Sequence, residues 1–198
     1  MKAIFLMLFV LIGLGLTQVT PPEAEPNFTA PVAVLQTTQG KIVIEFFQKD
    51  APLSVKNFIK QALAGAFDST TFHRVVKGFV IQGGDPNSKD NDPNNDGFGG
   101  GMIEAEPRKL SNKRGTISMA SSSQAQPIDS QSDCQFFINL VDNLRLDDFG
   151  FIPFGKVIKG MPVVDKIASV KVAKNSNRPL KNVVIKKVTI IEKDKLTK

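Results

Sequence analysis

From residue 32 onward, apolar positions occur in short runs separated by turn formers. Val32-Ala33-Val34-Leu35-Gln36 reads as a strand, Thr38-Gln39-Gly40-Lys41 as a tight turn, and residues 42–46 as the returning strand of a hairpin. The spacing then changes. Asp50 stands as an N-cap, Pro52 falls in the first turn, and Val55, Phe58, Ile59, Ala62 and Leu63 recur at helical intervals before Gly65. This predicts an amphipathic helix over 51–64. Short apolar segments at 72–76, 79–82, 116–120, 135–140 and 154–157 alternate with turn-rich stretches. A second short helix is predicted over 161–169, after Gly160, and a long β-branched strand over 183–191. Many short strands with two isolated helices predict an antiparallel sheet or barrel instead of alternating βαβ units.

The first thirty residues follow another pattern. Lys2 precedes an uncharged apolar run over 3–16, broken only by Gly13 and Gly15. A bilayer span needs about 20 residues, whereas a basic head followed by an apolar stretch of about 7–15 residues marks a secretory signal. Residues 1–20 are therefore expected to be a signal peptide cleaved on export, or in a minority reading an uncleaved anchor. Residues 21–31, with Pro21, Pro22, Pro26 and Pro31, read as an extended linker, and 32–194 as the folded domain. The expected location is exported, in a bacterial periplasm.

Composition narrows the chemistry. One cysteine excludes an intrachain disulfide framework and a Cys-cluster zinc site, and one histidine excludes a two-His metal motif. Lys plus Arg is 25 against 19 Asp plus Glu, a net charge of +6. The basic residues form no run of five and do not interleave with aromatics, which describes a solvated surface and no nucleic-acid partner. Asp92-x-Asn94-x-Asp96-Gly97 imitates the first half of a calcium loop, but its twelfth position is Ile103, where glutamate is needed. A solvated loop is expected, with no metal and no cofactor.

Residues 70–85 read Thr-Thr-Phe-His-Arg-Val-Val-Lys-Gly-Phe-Val-Ile-Gln-Gly-Gly-Asp. This block resembles the cyclophilin family of peptidyl-prolyl cis-trans isomerases. Gly115-Thr116-Ile117-Ser118-Met119-Ala120, Gln135-Phe136-Phe137-Ile138 and Phe154-Gly155-Lys156-Val157 resemble further blocks of that family, in order. The resemblance covers about residues 32–192. It implies a mainly β fold, a closed eight-stranded antiparallel β-barrel capped by two α-helices. It also implies acceleration of X–Pro bond rotation in unfolded or extended protein segments during folding.

That reaction faces a barrier of about 18–20 kcal/mol, because the peptide C–N bond has partial double-bond character. Lowering it requires the prolyl nitrogen lone pair to stop conjugating with the carbonyl, and no nucleophile, metal or proton transfer. A fixed cation donating a hydrogen bond to that nitrogen acts most strongly at the twisted transition state. Arg74 is the candidate. The resemblance implies that Phe79, Val80, Phe137 and Leu146 cradle proline, that Gln82 and Gln135 orient Arg74 and the peptide, and that backbone groups at Ala120 and Ser121 bind the extended chain. Strand parity puts Gln135 and Phe137 on one face and Cys134, Phe136 and Ile138 on the other. Cys134 is thus expected inside, as an inert thiol. His73 beside Arg74 suggests a general base, but the reaction moves no proton, so a structural histidine is expected.

The pattern departs from the family at the rim. Arg145 stands where animal relatives carry tryptophan, and Phe151 where many carry a groove histidine, which predicts weak cyclosporin binding. Ser121 replaces an asparagine. A different class of function remains open on these residues: a non-catalytic proline-peptide-binding module or holdase. Nothing marks a dedicated interface, so a monomer is expected.

Overall fold

The computed structural model describes residues 28–90 and 92–197. The signal-peptide reading of 1–20 and most of the linker lie outside them. Where the linker is described, Thr29 and Ala30 donate their backbone N–H groups to the Glu192 carboxylate at 2.8 and 3.0 Å. Pro31 already belongs to the first strand. The folded unit thus begins before residue 32.

The expected hairpin forms from β1 (Pro31–Thr37) and β2 (Gly40–Phe46). The Thr37 hydroxyl donates to the Gly40 carbonyl at 2.8 Å and accepts the Gln39 N–H, which closes the turn. The remaining long-sheet strands are β3 (Arg74–Val76), β4 (Val80–Gly83), β6 (Thr116–Met119), β8 (Phe136–Asn139), β9 (Pro153–Lys159) and β10 (Ile185–Glu192). The eight-stranded sheet runs β10-β1-β2-β9-β6-β8-β4-β3, antiparallel at every junction.

The sheet curls into a barrel, but its ladder is not continuous. β3 and β10 are its two ends. The seam between them is made by the residues ahead of β3: a bridge from Thr71 to Val184, Phe72 N–H to the Val183 carbonyl at 2.9 Å, and Ile185 N–H to the Thr70 carbonyl at 2.8 Å. The free edge of β3 faces a loop instead, with Val75 N–H bonded to the Asn177 carbonyl. A closed barrel overstates this arrangement.

Three α-helices occur among the described residues: α1 (Pro52–Leu63), the single turn α2 (Arg145–Asp148) and α3 (Met161–Ala168). α1 and α3 are the two helices expected. The N-cap of α1 is Ala51, not Asp50, and its capping group comes from far along the chain. The buried Glu106 carboxylate accepts the N–H groups of Leu53 and Ser54 at 3.0 and 2.8 Å and the Ser54 hydroxyl at 2.6 Å. It satisfies orphan helix donors and sits at the positive end of the helix dipole. A small ribbon of β5 (Met102–Glu104) and β7 (Ser130–Ser132) lies in stretches that read as loops.

Inward-facing residues of every long-sheet strand and the apolar face of α1 form the core. Phe58 is its hub, 4.6 Å from Phe67, 5.3 Å from Phe154 and 5.6 Å from Phe136 between ring centres. Each fully buried ring contributes about 1.5–3 kcal/mol, with about 0.5–1.5 kcal/mol more per ring pair. Cys134 joins this core, and burial pushes its thiol up to about 12, which keeps it protonated and unreactive. Among the described residues no helix is long and apolar enough to cross a membrane.

Candidate active site

Period-two alternation separates the two faces of the sheet. Val75, Ile81, Phe136 and Ile138 point into the barrel. Their neighbours point out, and cross-strand register aligns them: Arg74 opposite Gln82, and Gln82 opposite Phe137. A guanidinium, an amide and a phenyl ring thereby stand in one row across β3, β4 and β8.

Beside this row lies a second, small apolar cluster. Val80, Phe137 and Leu146 are buried in it, with Phe79, Ala120, Phe149 and Phe151 packed against them. The cluster encloses a cavity of about 120 Å³ lined by Arg74, Phe79, Val80, Gln82, Ala120, Ser121, Phe137, Leu146 and Phe151. A cavity of about 150 Å³ holds one benzene, so this space is the size of a single small ring. Every residue predicted for the site lines it, apart from Gln135 and Arg145.

Gln135 acts one step back. Arg74 donates from Nη1 to Gln82 Oε1 at 3.1 Å, and Gln82 donates from Nε2 to Gln135 Oε1 at 3.1 Å. Gln135 donates in turn to the carbonyls of Gly97 and Gly99 at 3.0 and 2.9 Å. All donors in this relay run one way, from the guanidinium to fixed backbone carbonyls. The Gly97 end of this segment is anchored by Asp85, which is fully buried and accepts the N–H groups of Gly97 and Asn87. A Cβ at Gly99 would collide with the buried Asp85 carboxylate and the Asn87 side chain, which favours glycine here. Half-burial lowers the Arg74 pKa through desolvation, yet a guanidinium stays charged at neutral pH. Its fork has five donors, of which the relay uses one.

A buried asparagine network positions the opposite wall of the cavity and was not legible in the sequence, where isolated asparagines read as loop residues. Asn139, on the outer face of β8, donates to Thr116 Oγ1 and Asn112 Oδ1 and accepts from Asn143. Asn112 donates to Asp147 Oδ1 at 2.9 Å and to the Phe151 carbonyl at 3.0 Å. Burial alone would raise the Asp147 carboxyl; the bonds from Asn112 and Ser111 and the charge of Arg108 together outweigh it and leave the pKa lowered. The network ties α2 to the sheet and so holds Leu146 and Phe151 over the cavity.

Two predicted features are placed differently, Arg145 and the Ala120 backbone. Arg145 is exposed, outside the cavity lining, with its guanidinium 5.5 Å from the centre of the Phe149 ring. The Ala120 N–H is already bonded to the Gln135 carbonyl at 2.8 Å, and its carbonyl accepts Ser132 N–H at 2.7 Å. Ala120 is therefore a wall, and a new backbone donor for substrate must come from elsewhere, with Ser121 adjacent. The Ser121 hydroxyl is engaged by the Ser130 carbonyl at 2.6 Å. His73 is buried, and desolvation pushes it down to about 4, so it is neutral near pH 7 and cannot gain or lose a proton usefully there. In the acidic loop, Asp92 caps Asn94 and Asp96 pairs with Arg178 Nε at 3.1 Å. Among the described residues, no three His, Cys, Asp or Glu side chains converge as a metal site would need.

The chain is similar to known proteins. The family model described as cyclophilin type peptidyl-prolyl cis-trans isomerase/CLD matches residues 32–190. The chain is 39% identical over 195 residues to peptidyl-prolyl cis-trans isomerase A of Dickeya dadantii, covering 93% of this chain and 96% of that one. It is 36% identical over 180 residues to peptidyl-prolyl cis-trans isomerase B of Escherichia coli, covering 81% of this chain and 100% of the relative. A crystal structure of a Cryptosporidium parvum cyclophilin type isomerase in the presence of the dipeptide Ala-Pro superposes with a TM-score of 0.72 at 29% identity, over 81% of this chain and 99% of that one.

Proposed function

The chain belongs to the cyclophilin-type peptidyl-prolyl cis-trans isomerase family and is an isomerase of X–Pro bonds, and we propose that Arg74 drives the reaction on unfolded or extended chains outside the cytoplasm. The observation that carries the assignment of Arg74 is its position: at the mouth of a ring-sized apolar cavity, held by a one-way relay through Gln82 and Gln135.

Proline seats its ring against Phe79, Val80, Phe137 and Leu146. The peptide on either side lies over Arg74 and Ser121. As the bond twists, the prolyl nitrogen pyramidalises and its lone pair becomes an acceptor, and Arg74 donates to it. The planar ground state has no such lone pair, so the bond favours the transition state selectively. A charge-assisted bond nets about 1.5–3 kcal/mol, while a 10⁴-fold acceleration needs about 5.4 kcal/mol. The remainder comes from the apolar cavity, which disfavours the more polar planar imide and fixes the ring. His73 takes no part, since no proton moves.

Export is supported by Lys2, the uncharged run over 3–16 and the proline-rich stretch behind it. A single, buried, protonated thiol also suits an oxidising compartment. A monomeric folding helper with weak cyclosporin affinity completes the reading, Arg145 lying against Phe149 outside the cavity. Two measurements test it. The protein should accelerate the slow phase of a reporter whose refolding waits on proline isomerisation, a step of about 10–100 s. The intact mass of the protein from the cell envelope should show loss of about 20 N-terminal residues. An unchanged slow phase would contradict the folding role, and a full-length chain confined to the cytoplasm would contradict export.

A further inference from the structure

The proline cavity lies between two larger depressions. One, of about 240 Å³, is lined by Gln82, Ala120, Ser121, Gln135 and the glycine-rich 97–102 segment, and none of its lining residues is charged. The other, of about 710 Å³, shares Arg74 and Gln82 with the cavity and is walled by His73, Asp96 and Arg178. A chain whose proline fills the cavity leaves it in two directions. Selection by charge among the flanking residues is therefore confined to the Arg74 side.

The groups on that side are not fully satisfied. His73 is 6% exposed, and neither ring nitrogen makes a well-formed hydrogen bond, the Thr71 backbone being its polar contact. Arg178 meets Asp96 at 3.1 Å, with side-chain exposures of 24% and 8%. Two guanidiniums line the pocket; facing them are Asp96 in the lining and the buried Asp85 behind it, whose charge reaches His73 and Asp96. Asp90 and Asp92 stand on the exposed part of the same loop, where solvent and salt screen them more than the groups in the lining. Burial raises the Asp96 carboxyl despite Arg178, and the charges of Asp85, Asp90 and Asp92 push it the same way. His73, neutral near pH 7, adds one donor and one acceptor without charge.

We propose that this pocket is a second substrate subsite, in which Arg178, with His73 behind it, recognises a carboxylate side chain flanking the proline. The proposal rests on the isomerase reading of the adjacent cavity. It makes Arg178 a specificity-determining residue: an incoming carboxylate bonds the guanidinium in place of, or together with, Asp96.

The test is kcat/KM for cis-to-trans isomerisation of three peptide series. One is neutral, and two carry Glu or Lys at either the second residue before or the second residue after proline. At low salt, Glu is expected to exceed Lys by at least about threefold in one of the charged series. The ratio should fall toward one in Arg178→Ala and invert in Arg178→Glu. It should also fall toward one for the wild type in about 1 M salt, a result that needs no variant to fold. A ratio of one in both series, with the neutral peptide still turned over, would overturn the subsite alone. So would a ratio unmoved by salt or by the Arg178 variants. A neutral peptide that is not turned over would overturn the isomerase reading on which it rests.

Discussion

Phe136 and Phe137 are the same residue type, adjacent on one strand, and both almost completely buried, at 0% and 5% exposed. Their surroundings differ. Phe136 enters the barrel and meets Phe58, Phe67 and Phe72 edge-on, in a core filled on all sides. Phe137 leaves the barrel and meets Phe151, with a cavity of about 120 Å³ on its open side. Burial by itself therefore does not separate scaffold from site. What separates them is whether the buried ring has a complete set of neighbours or borders a space of defined size beside a fixed cation.

Truncation is the strongest way to test that contrast. Phe136→Ala should cost about 3–5 kcal/mol of stability, because the rigid core around it cannot collapse. Phe137→Ala should cost only about 1–2 kcal/mol and lower kcat/KM at least tenfold, since its ring already borders open space. Urea unfolding beside a peptide assay checks both, and equal stability losses would erase the distinction.

Next in size is a pH effect at His73, which lies behind the site row. Its ordinary pKa of 6.5 falls to about 4 in the folded chain, chiefly through burial. The unfolded chain takes up the proton first, so the native state is fully favoured above pH 6.5 and loses stability as pH drops toward 4. The expected loss is about 3 kcal/mol. His73→Gln should flatten the urea midpoint across that window while kcat/KM keeps no inflection near 6.5; an activity inflection there would restore the general-base role.

The relay gives a smaller effect. Gln135→Ala should lower kcat about tenfold with little change in KM or unfolding midpoint, because Arg74 loses its anchor while the cavity stays intact. Smallest is Arg145→Ala, expected within about twofold in rate and about 0.5 kcal/mol in stability, as an exposed cation over Phe149 contributes little.

Much of this was legible from residue order. β1, β2 and β10 follow from apolar and β-branched runs between turn signals, and parity puts Gln135 and Phe137 on one face, while the places of Arg74 and Gln82 beside them were implied by the family resemblance. The inward fate of Cys134 follows from the same parity. What was not legible depends on partners distant in the chain. Glu106 caps α1 from about fifty residues away, displacing the local candidate Asp50. β5 and β7 pair three-residue segments too short to carry a strand signal of their own. The asparagines behind Leu146 act only because Asn112, Asn139, Asn143 and Asp147 meet in space. Arg145 was placed at the groove by family position, but its guanidinium lies over Phe149, outside the cavity.

The central claim is that a positioned guanidinium beside a ring-sized cavity performs the rotation. It is tested most directly by the cis-to-trans rate of an Ala-Pro peptide with the wild-type protein, Arg74→Ala and Arg74→Lys, with folding confirmed by circular dichroism. The account predicts a fall of about 10²–10³ in kcat/KM for Arg74→Ala, in line with removal of a preorganised transition-state donor. Only partial recovery is expected in Arg74→Lys, whose compact ammonium cannot serve Gln82 and the prolyl nitrogen with one planar fork. Wild-type rates in a well-folded Arg74→Ala would contradict it.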